Sequence, residues 1–572
     1  MRATRPISVC HPLRSSMRKD SVTQTMKTLH LLTTLALLAS SLLCTSGLLP
    51  AQVAEPLPSA SAFGLSLSMH DPSPALPSQT TPSSTPAETP SSAVEGSVVK
   101  VFSTARYPDP YKPWTKQAAT ELTGSGVVIS GRRILTNAHV VLYASQVQIQ
   151  ANQAGDKLSA SIEAIAPGID LAVLKLDDEK FFDTHRPLAE ARVLPGIKDS
   201  VMVYGYPTGG TSLSITKGII SRIEFATYNF PTSGLRIQID AAINAGNSGG
   251  PAVVDDKMVG LAFSRLGGSA ENIGYIIPCE EIDLFLQDVS DGHYDGKPAM
   301  YEEMQTLEND ALRSFLKLDK SVEGMVLHTP MRNDPAYPAK PWDVITRIGD
   351  TPVDDEGMVK IGANLRVRFA YLVQKIAKNG KVPLTVVRAG QELKIELPVP
   401  ANYPAVIPPL AGAYPSYFIY GPLVFSEATS EFLGGVSREK NGMEWLMTFS
   451  YFGNPLVTRS GDKQAFDGER FVVISSPFFP HRLAKGYSPH VGQVVKAING
   501  QAIKNLPHLV EVLRDCTDQF IAIEFAGLHP AERLVFPRAE MLAATDDILN
   551  DNGIRSQGSP DVLGRWSSKS PK

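Results

Sequence analysis

The chain has 572 residues, more than one hydrophobic core organises, so several domains are expected. Its 54 basic and 58 acidic residues leave a net charge of −4 with no block of like charge. That balance argues against electrostatic capture of nucleic acid or of an anionic membrane surface.

In chain order, Lys27 is followed by the apolar run TLHLLTTLALLASSLLCTSGLL and then by the small residues of PAQVAEP. Residues 1–55 therefore read as a secretory signal, with Met26 as an alternative start, and the protein is expected to be exported to the periplasm or cell envelope. The competing reading, an uncleaved membrane anchor, is the one route to membrane association. Cys44 follows the bulky Leu43, a poor setting for lipidation. Cleavage near residue 55 removes Cys10 and Cys44, leaving Cys279 and Cys516 in separate domains, so the chain is not expected to depend on disulfides. Residues 56–96, rich in Pro, Ser, Thr and Ala, read as a disordered tether.

Over residues 97–292 short β-branched runs follow one another: SVVKVF, GSGVVIS, RRILTNAHVV, QVQIQA, DLAVLKL, SVMVYGYP, SITKGIISRIEF, LRIQIDAAI, PAVV and KMVGLAFSRL. Gly, Asp and Asn punctuate them, and no helical period intervenes. This spacing predicts an antiparallel all-β barrel or sandwich, closed by an amphipathic helix at CEEIDLFLQDV. Beyond it lie two units of loosely repeated texture, 298–402 and 410–545, each with strands and one helix, NLRVRFAYLVQKIAK in the first and LPHLVEVLRDC in the second. Residues 546–572 read as a C-terminal tail, whose last segment, GRWSSKSPK, is polar and frayed.

The stretch AINAGNSGGPAVV raises the question of chemistry. Ser248 between Asn247 and two glycines can decorate a turn, or it can be a nucleophile in a loop (Gly246, Asn247, Ser248) whose backbone N–H groups converge on a reacting oxygen. A serine hydroxyl needs a neutral imidazole to take its proton and an anion to orient that imidazole. His139 stands where an apolar strand ends, beside Thr136 and Asn137. Asp170 stands directly before the apolar run 171–176, placed to orient a base, although alone such an aspartate is more often a turn residue; Asp177, Asp178 and Glu179 form a charged, solvated turn. Neither H-E-x-x-H nor a Cys/His pair at zinc spacing occurs, so no metal and no cofactor is expected. Ala242, Ile243 and Asn244 are candidate pocket residues.

The stretches SVVKVF, RRILTNAHVV, YGYPTGG, IQIDAAIN, GNSGGPA and ENIGYIIP together resemble the Deg/HtrA (protease Do) family of ATP-independent serine endopeptidases, in the manner of its two-PDZ plant-type members. The resemblance implies a mostly β fold, a chymotrypsin-like double β-barrel followed by two PDZ-like α+β domains. It puts the catalytic triad on His139, Asp170 and Ser248 and the oxyanion hole on the N–H groups of Gly246 and Ser248. Unfolded proteins or peptides are the implied substrates, and with Ala242 where trypsin-like barrels that select basic side chains carry a carboxylate, an apolar P1 residue is implied. The implied assembly is a homo-oligomer, a trimer or multiple of trimers, for which Tyr107, Tyr111 and Trp114 are a candidate contact. A mobile specificity loop is expected around Gly267 and Gly268. Of the PDZ-like units, the first carries Glu302 and Glu303 where a carboxylate would be received, which makes capture of free C-termini there doubtful, and the second offers Tyr420 and Gly421 as a better loop. The alternative from another class is a chaperone or adaptor that binds through its PDZ domains on an inactive barrel.

Overall fold

In the computed structural model, residues 90–151, 155–265, 273–362, 365–528 and 532–568 are described. The leader expected over residues 1–55 and Gly267 and Gly268 lie outside them. So does the expected tether up to residue 89; its last part is instead a short helix, Pro90–Gly96, because Val94 has a buried apolar partner surface to reach.

The fold is mostly β. Strands β1 (Val98–Ala105), β2 (Thr120–Ile129), β3 (Arg133–Thr136), β4 (Ala144–Ala151), β5 (Leu158–Ala166) and β6 (Leu171–Leu176) close into one barrel. A second barrel is closed by β7 (Ser200–Gly205), β8 (Ser214–Thr227), β9 (Ser233–Ile239), β10 (Pro251–Val254), β11 (Lys257–Arg265) and β12 (Gly274–Pro278). The near-continuous apolar runs have a simple cause: both faces of these strands are covered. In β6, Ala172 and Leu174 point into the first barrel, while Leu171 and Val173 join Val127, Leu135, Tyr204, Val253 and Leu261 in the seam between the barrels. Each such side chain contributes about 1.5–3 kcal/mol by leaving water, so the seam is a core in its own right and fixes one barrel against the other. The helix Cys279–Asp288 closes the domain as expected, with Ile282 and Phe285 in that seam.

The first downstream unit is built on strands Glu303–Thr306, Met325–Thr329, Asp343–Ile348, Lys381–Arg388 and Gln391–Pro398, hydrogen-bonded in that order. Its helix is shorter than expected. Leu365–Arg368 alternates apolar and charged residues and pairs as a strand with Met358–Ile361, so the helix is confined to Ala370–Ile376. This helix lies against the protease domain. Glu281, wholly buried, accepts hydrogen bonds from Leu235 N (2.6 Å) and Gln374 Nε2 (2.9 Å) and is paired with Lys297. Glu302 and Glu303 do not act together: Glu302 is buried and accepts from Tyr337 Oη (2.7 Å), and burial raises its carboxyl above the usual carboxylate range, while Glu303 is exposed near His328.

The second unit contains the sheet Tyr417–Tyr420, Leu423–Glu427, Val472–Ile474 and a four-stranded sheet around Val495–Ile498, with the expected helix at Leu506–Asp515. Three helices between residues 430 and 458 interrupt it, a feature not anticipated. The C-terminal tail carries the end of one helix, Arg538–Asp551, and a second, Pro560–Ser567, which takes in the start of the segment expected to fray: Val562 is fully buried and Trp566 packs on Phe418, their rings 5.1 Å apart. The turn at Tyr420 and Gly421 is likewise occupied from within, since Gly421 N donates to Thr545 Oγ1 (2.9 Å) on the first of these helices. The aromatic segment read as an oligomer contact packs on this unit of its own chain, with Trp114 5.6 Å from Phe479 and Tyr111 6.0 Å from Phe432.

Candidate active site

His139 and Asp170 meet because β3 and β6 are register neighbours, Thr136 facing Ala172. Past Thr136 the chain enters a single helical turn, Ala138–Val141, that carries His139. Asp170 takes a left-handed backbone conformation (φ 60°), one that Asp tolerates better than most residues, and Asn137 Nδ2 ties down its carbonyl at 2.9 Å. The carboxylate then grips the histidine twice: Asp170 Oδ1 accepts from His139 N at 2.9 Å and Oδ2 from Nδ1 at 2.8 Å. A carboxylate only accepts, so Nδ1 carries the proton and Nε2 keeps its lone pair. Asp170 is buried while the imidazole stays 44% exposed. Burial pulls the His139 pKa down, but the charge and hydrogen bond of Asp170 outweigh it, and the net shift is upward.

Ser248 arrives from the second barrel on the loop 244–250, which leads into β10. Its backbone polar groups can be followed one by one. Ala245 O accepts from Thr208 N (2.7 Å), Gly246 O from Ser125 Oγ (2.7 Å), Asn247 O from Gly250 N (2.9 Å) and Ser248 O from Ser125 N (2.8 Å). Asn247 N is spent on Asn244 O (3.0 Å), so Asn247, expected as part of the oxyanion hole, has no backbone N–H to offer. The N–H groups of Gly246 and Ser248 have no acceptor among the described residues. In a planar trans peptide C=O and N–H point oppositely. Holding the carbonyls of Ala245 and Asn247 therefore turns those two N–H groups the other way, free to receive an oxyanion.

Two close approaches seat this loop against the first barrel. Gly249, at φ 86°, would place a Cβ 2.0 Å from Ser125 O and 2.5 Å from Thr136 Oγ1, so only glycine fits. A Cβ on Gly124 would lie 2.8 Å from Val140 and 3.2 Å from Ser248 O, which makes that glycine a common neighbour of the histidine turn and the serine. The Ser248 hydroxyl has no hydrogen-bond partner among the described residues.

Of the pocket candidates, Ala242 and Asn244 are exposed, and Ala242 O is held by Thr216 Oγ1 (2.9 Å). Ile243 does not open outward: it is buried in the second barrel, where a Cβ on Gly274 would touch its Cδ1 at 2.7 Å. Sequence reading missed Ser125, Thr208 and Lys100, whose Nζ reaches from β1 to Gly210 O (2.7 Å) in the loop carrying Thr208. The available signal was a serine between two glycines, a composition that marks close approach of another segment.

Residues 124–261 match the trypsin-like peptidase domain and residues 407–561 a PDZ domain. Among curated proteins the chain is similar to protease Do-like 2, chloroplastic, of Arabidopsis thaliana, at 34% identity over 84% of this chain and 77% of that one. It is also similar to protease Do-like 4, mitochondrial, of the same plant, at 33% identity over 82% of this chain and 86% of the other. Among solved structures it resembles the HtrA-type protease AlgW with a decapeptide, at 25% identity and a TM-score of 0.42, over 55% of this chain and 98% of that one.

Proposed function

The chain belongs to the protease Do-like (Deg/HtrA) family of serine proteases, and on that premise we propose that it is an ATP-independent endopeptidase that cleaves unfolded or misfolded proteins through His139, Asp170 and Ser248. The observation that carries the reading is the double grip of Asp170 on His139, which leaves the unprotonated Nε2 on the ring edge away from the carboxylate. In this reading Ser248 Oγ attacks the peptide carbonyl as Nε2 takes its proton. The oxyanion settles between the N–H groups of Gly246 and Ser248, the imidazolium protonates the leaving amine, and water then hydrolyses the acyl-enzyme. Asp170 stabilises the imidazolium without taking its proton. No cofactor enters these steps.

Ala242, six positions before Ser248 and exposed, supports an apolar P1 residue. The leader read in residues 1–55 supports export to the cell envelope. The relatives named above are chloroplastic and mitochondrial, which makes an organelle the other destination for such a leader, and fractionation of a tagged full-length chain separates the two. Assembly into trimers or multiples of them belongs to the reading as well. Because Trp114 is turned to its own second PDZ-like unit, the contact is expected elsewhere on the barrel, and sedimentation decides. The rival, a PDZ-bearing adaptor with an inert barrel, has no use for an oriented imidazole. Digestion of unfolded casein without ATP separates the two: the wild type cuts and Ser248→Ala does not, whereas equal cutting by both ends the triad assignment.

A further inference from the structure

The three loop carbonyls on either side of Ser248 that are held by main-chain amides cannot be released by any side-chain change. Gly246 O is different, because its partner is the Ser125 hydroxyl, 121 residues away in sequence. Ser125 is fully buried, and every one of its polar groups is engaged by this site. Its Oγ donates to Gly246 O (2.7 Å) and accepts from Tyr206 N (2.8 Å), its N donates to Ser248 O (2.8 Å), and its O accepts from Thr136 Oγ1 (2.7 Å). It thus joins, through one residue of the first barrel, the serine loop, the segment leading to Thr208, and the strand end from which His139 departs.

We propose that Ser125 is a positioning residue of the oxyanion hole, its hydroxyl fixing the peptide plane that separates the two donor N–H groups. This rests on the reading of Ser248 as the nucleophile. Gly246 has no side chain and sits at φ 98°, a conformation with wide backbone freedom. Without the hydroxyl, Gly246 O and Tyr206 N are both buried and unpaired, and the bond from Asn247 N to Asn244 O (3.0 Å) is left alone to resist rotation of the 246–247 peptide. Rotation there turns the Gly246 and Ser248 amides away from a common point, so the loss falls on the transition state, where the oxygen is charged, and spares the ground-state peptide.

The test compares wild type, Ser248→Ala, Ser125→Ala and Ser125→Cys on one chromogenic peptide, together with inhibition by a peptide aldehyde of the same sequence, which forms a tetrahedral adduct. For Ser125→Ala the expected result is a fall in kcat of about tenfold to a hundredfold with KM within about twofold, and weaker aldehyde inhibition by the same factor. Ser125→Cys, which keeps a weaker donor of similar shape, is expected to fall between and serves as the comparison if Ser125→Ala does not fold. An unchanged kcat in the folded variants, or a rise in KM alone, overturns the proposal while Ser248→Ala remains inactive. Activity of Ser248→Ala would instead remove the reading beneath it.

Discussion

Replacing Asp170 by Asn changes one oxygen for an NH2 group, yet the geometry forces a specific failure. The His139 N–H needs an acceptor at the Oδ1 position, 2.9 Å away, so the new amide must put its carbonyl there and its NH2 toward Nδ1, 2.8 Å away. Nδ1 is then obliged to accept, the ring proton moves to Nε2, and the nitrogen that should receive the Ser248 proton becomes a donor. Nothing else in the site needs to move. The expected loss in kcat is about four orders of magnitude, equivalent to roughly 5.5 kcal/mol of transition-state stabilisation. The assay is steady-state cleavage of a peptide substrate by wild type and Asp170→Asn, with near-UV circular dichroism to confirm an unchanged fold. A kcat within about tenfold of wild type would refute the argument that the carboxylate selects the tautomer.

The pH profile carries a sign. Because Asp170 raises the pKa of His139 against the opposing effect of burial, the acid limb of kcat/KM should lie above the ordinary histidine value of about 6.5, with activity lost on acidification as the imidazole protonates. The same upward shift stabilises the fold below the unfolded-state pKa, and that contribution disappears as pH rises through the folded value. An acid limb at or below the ordinary value contradicts the observed pairing. Gly249→Ala should be inactive and less stable, since its Cβ would meet backbone at 2.0 Å and the left-handed conformation alone costs about 1–2 kcal/mol; near-wild-type cleavage with an unchanged melting temperature would count against the loop geometry. Glu281→Ala leaves Lys297 without its buried partner and should cost about 3–5 kcal/mol, read as a lower urea midpoint, whereas an unchanged midpoint would show the pair to be energetically idle.

What could be read from sequence was what short segments decide for themselves. Short β-branched runs announced the strands of a barrel or sandwich, and TNAHVV, DLAVLKL and GNSGGPA each carried enough local pattern to mark their residues. The errors came where a partner lies far along the chain. The glycines flanking Ser125 signalled that some segment approaches, but not that it is Gly246, and Gly421 seemed free because Thr545 is out of view. Asn247 was misjudged for the opposite reason, a very local bond to Asn244 that consumes its amide. The helices after residue 429 did have a signal, Thr429 capping Phe432 N and Asn454 capping Leu456 N, but a glycine pair inside the first of them masked it.

The packing of Trp114 between Tyr417 and Phe479 has a consequence for how the chain is made. The indole belongs to the part that leaves the ribosome early, and its covering surface is synthesised more than three hundred residues afterwards. For that interval the nascent barrel displays a sticky aromatic face, so a shortened gene product ending after the first PDZ-like unit would keep that face bare and be prone to precipitate, even with every residue of its cutting machinery in place.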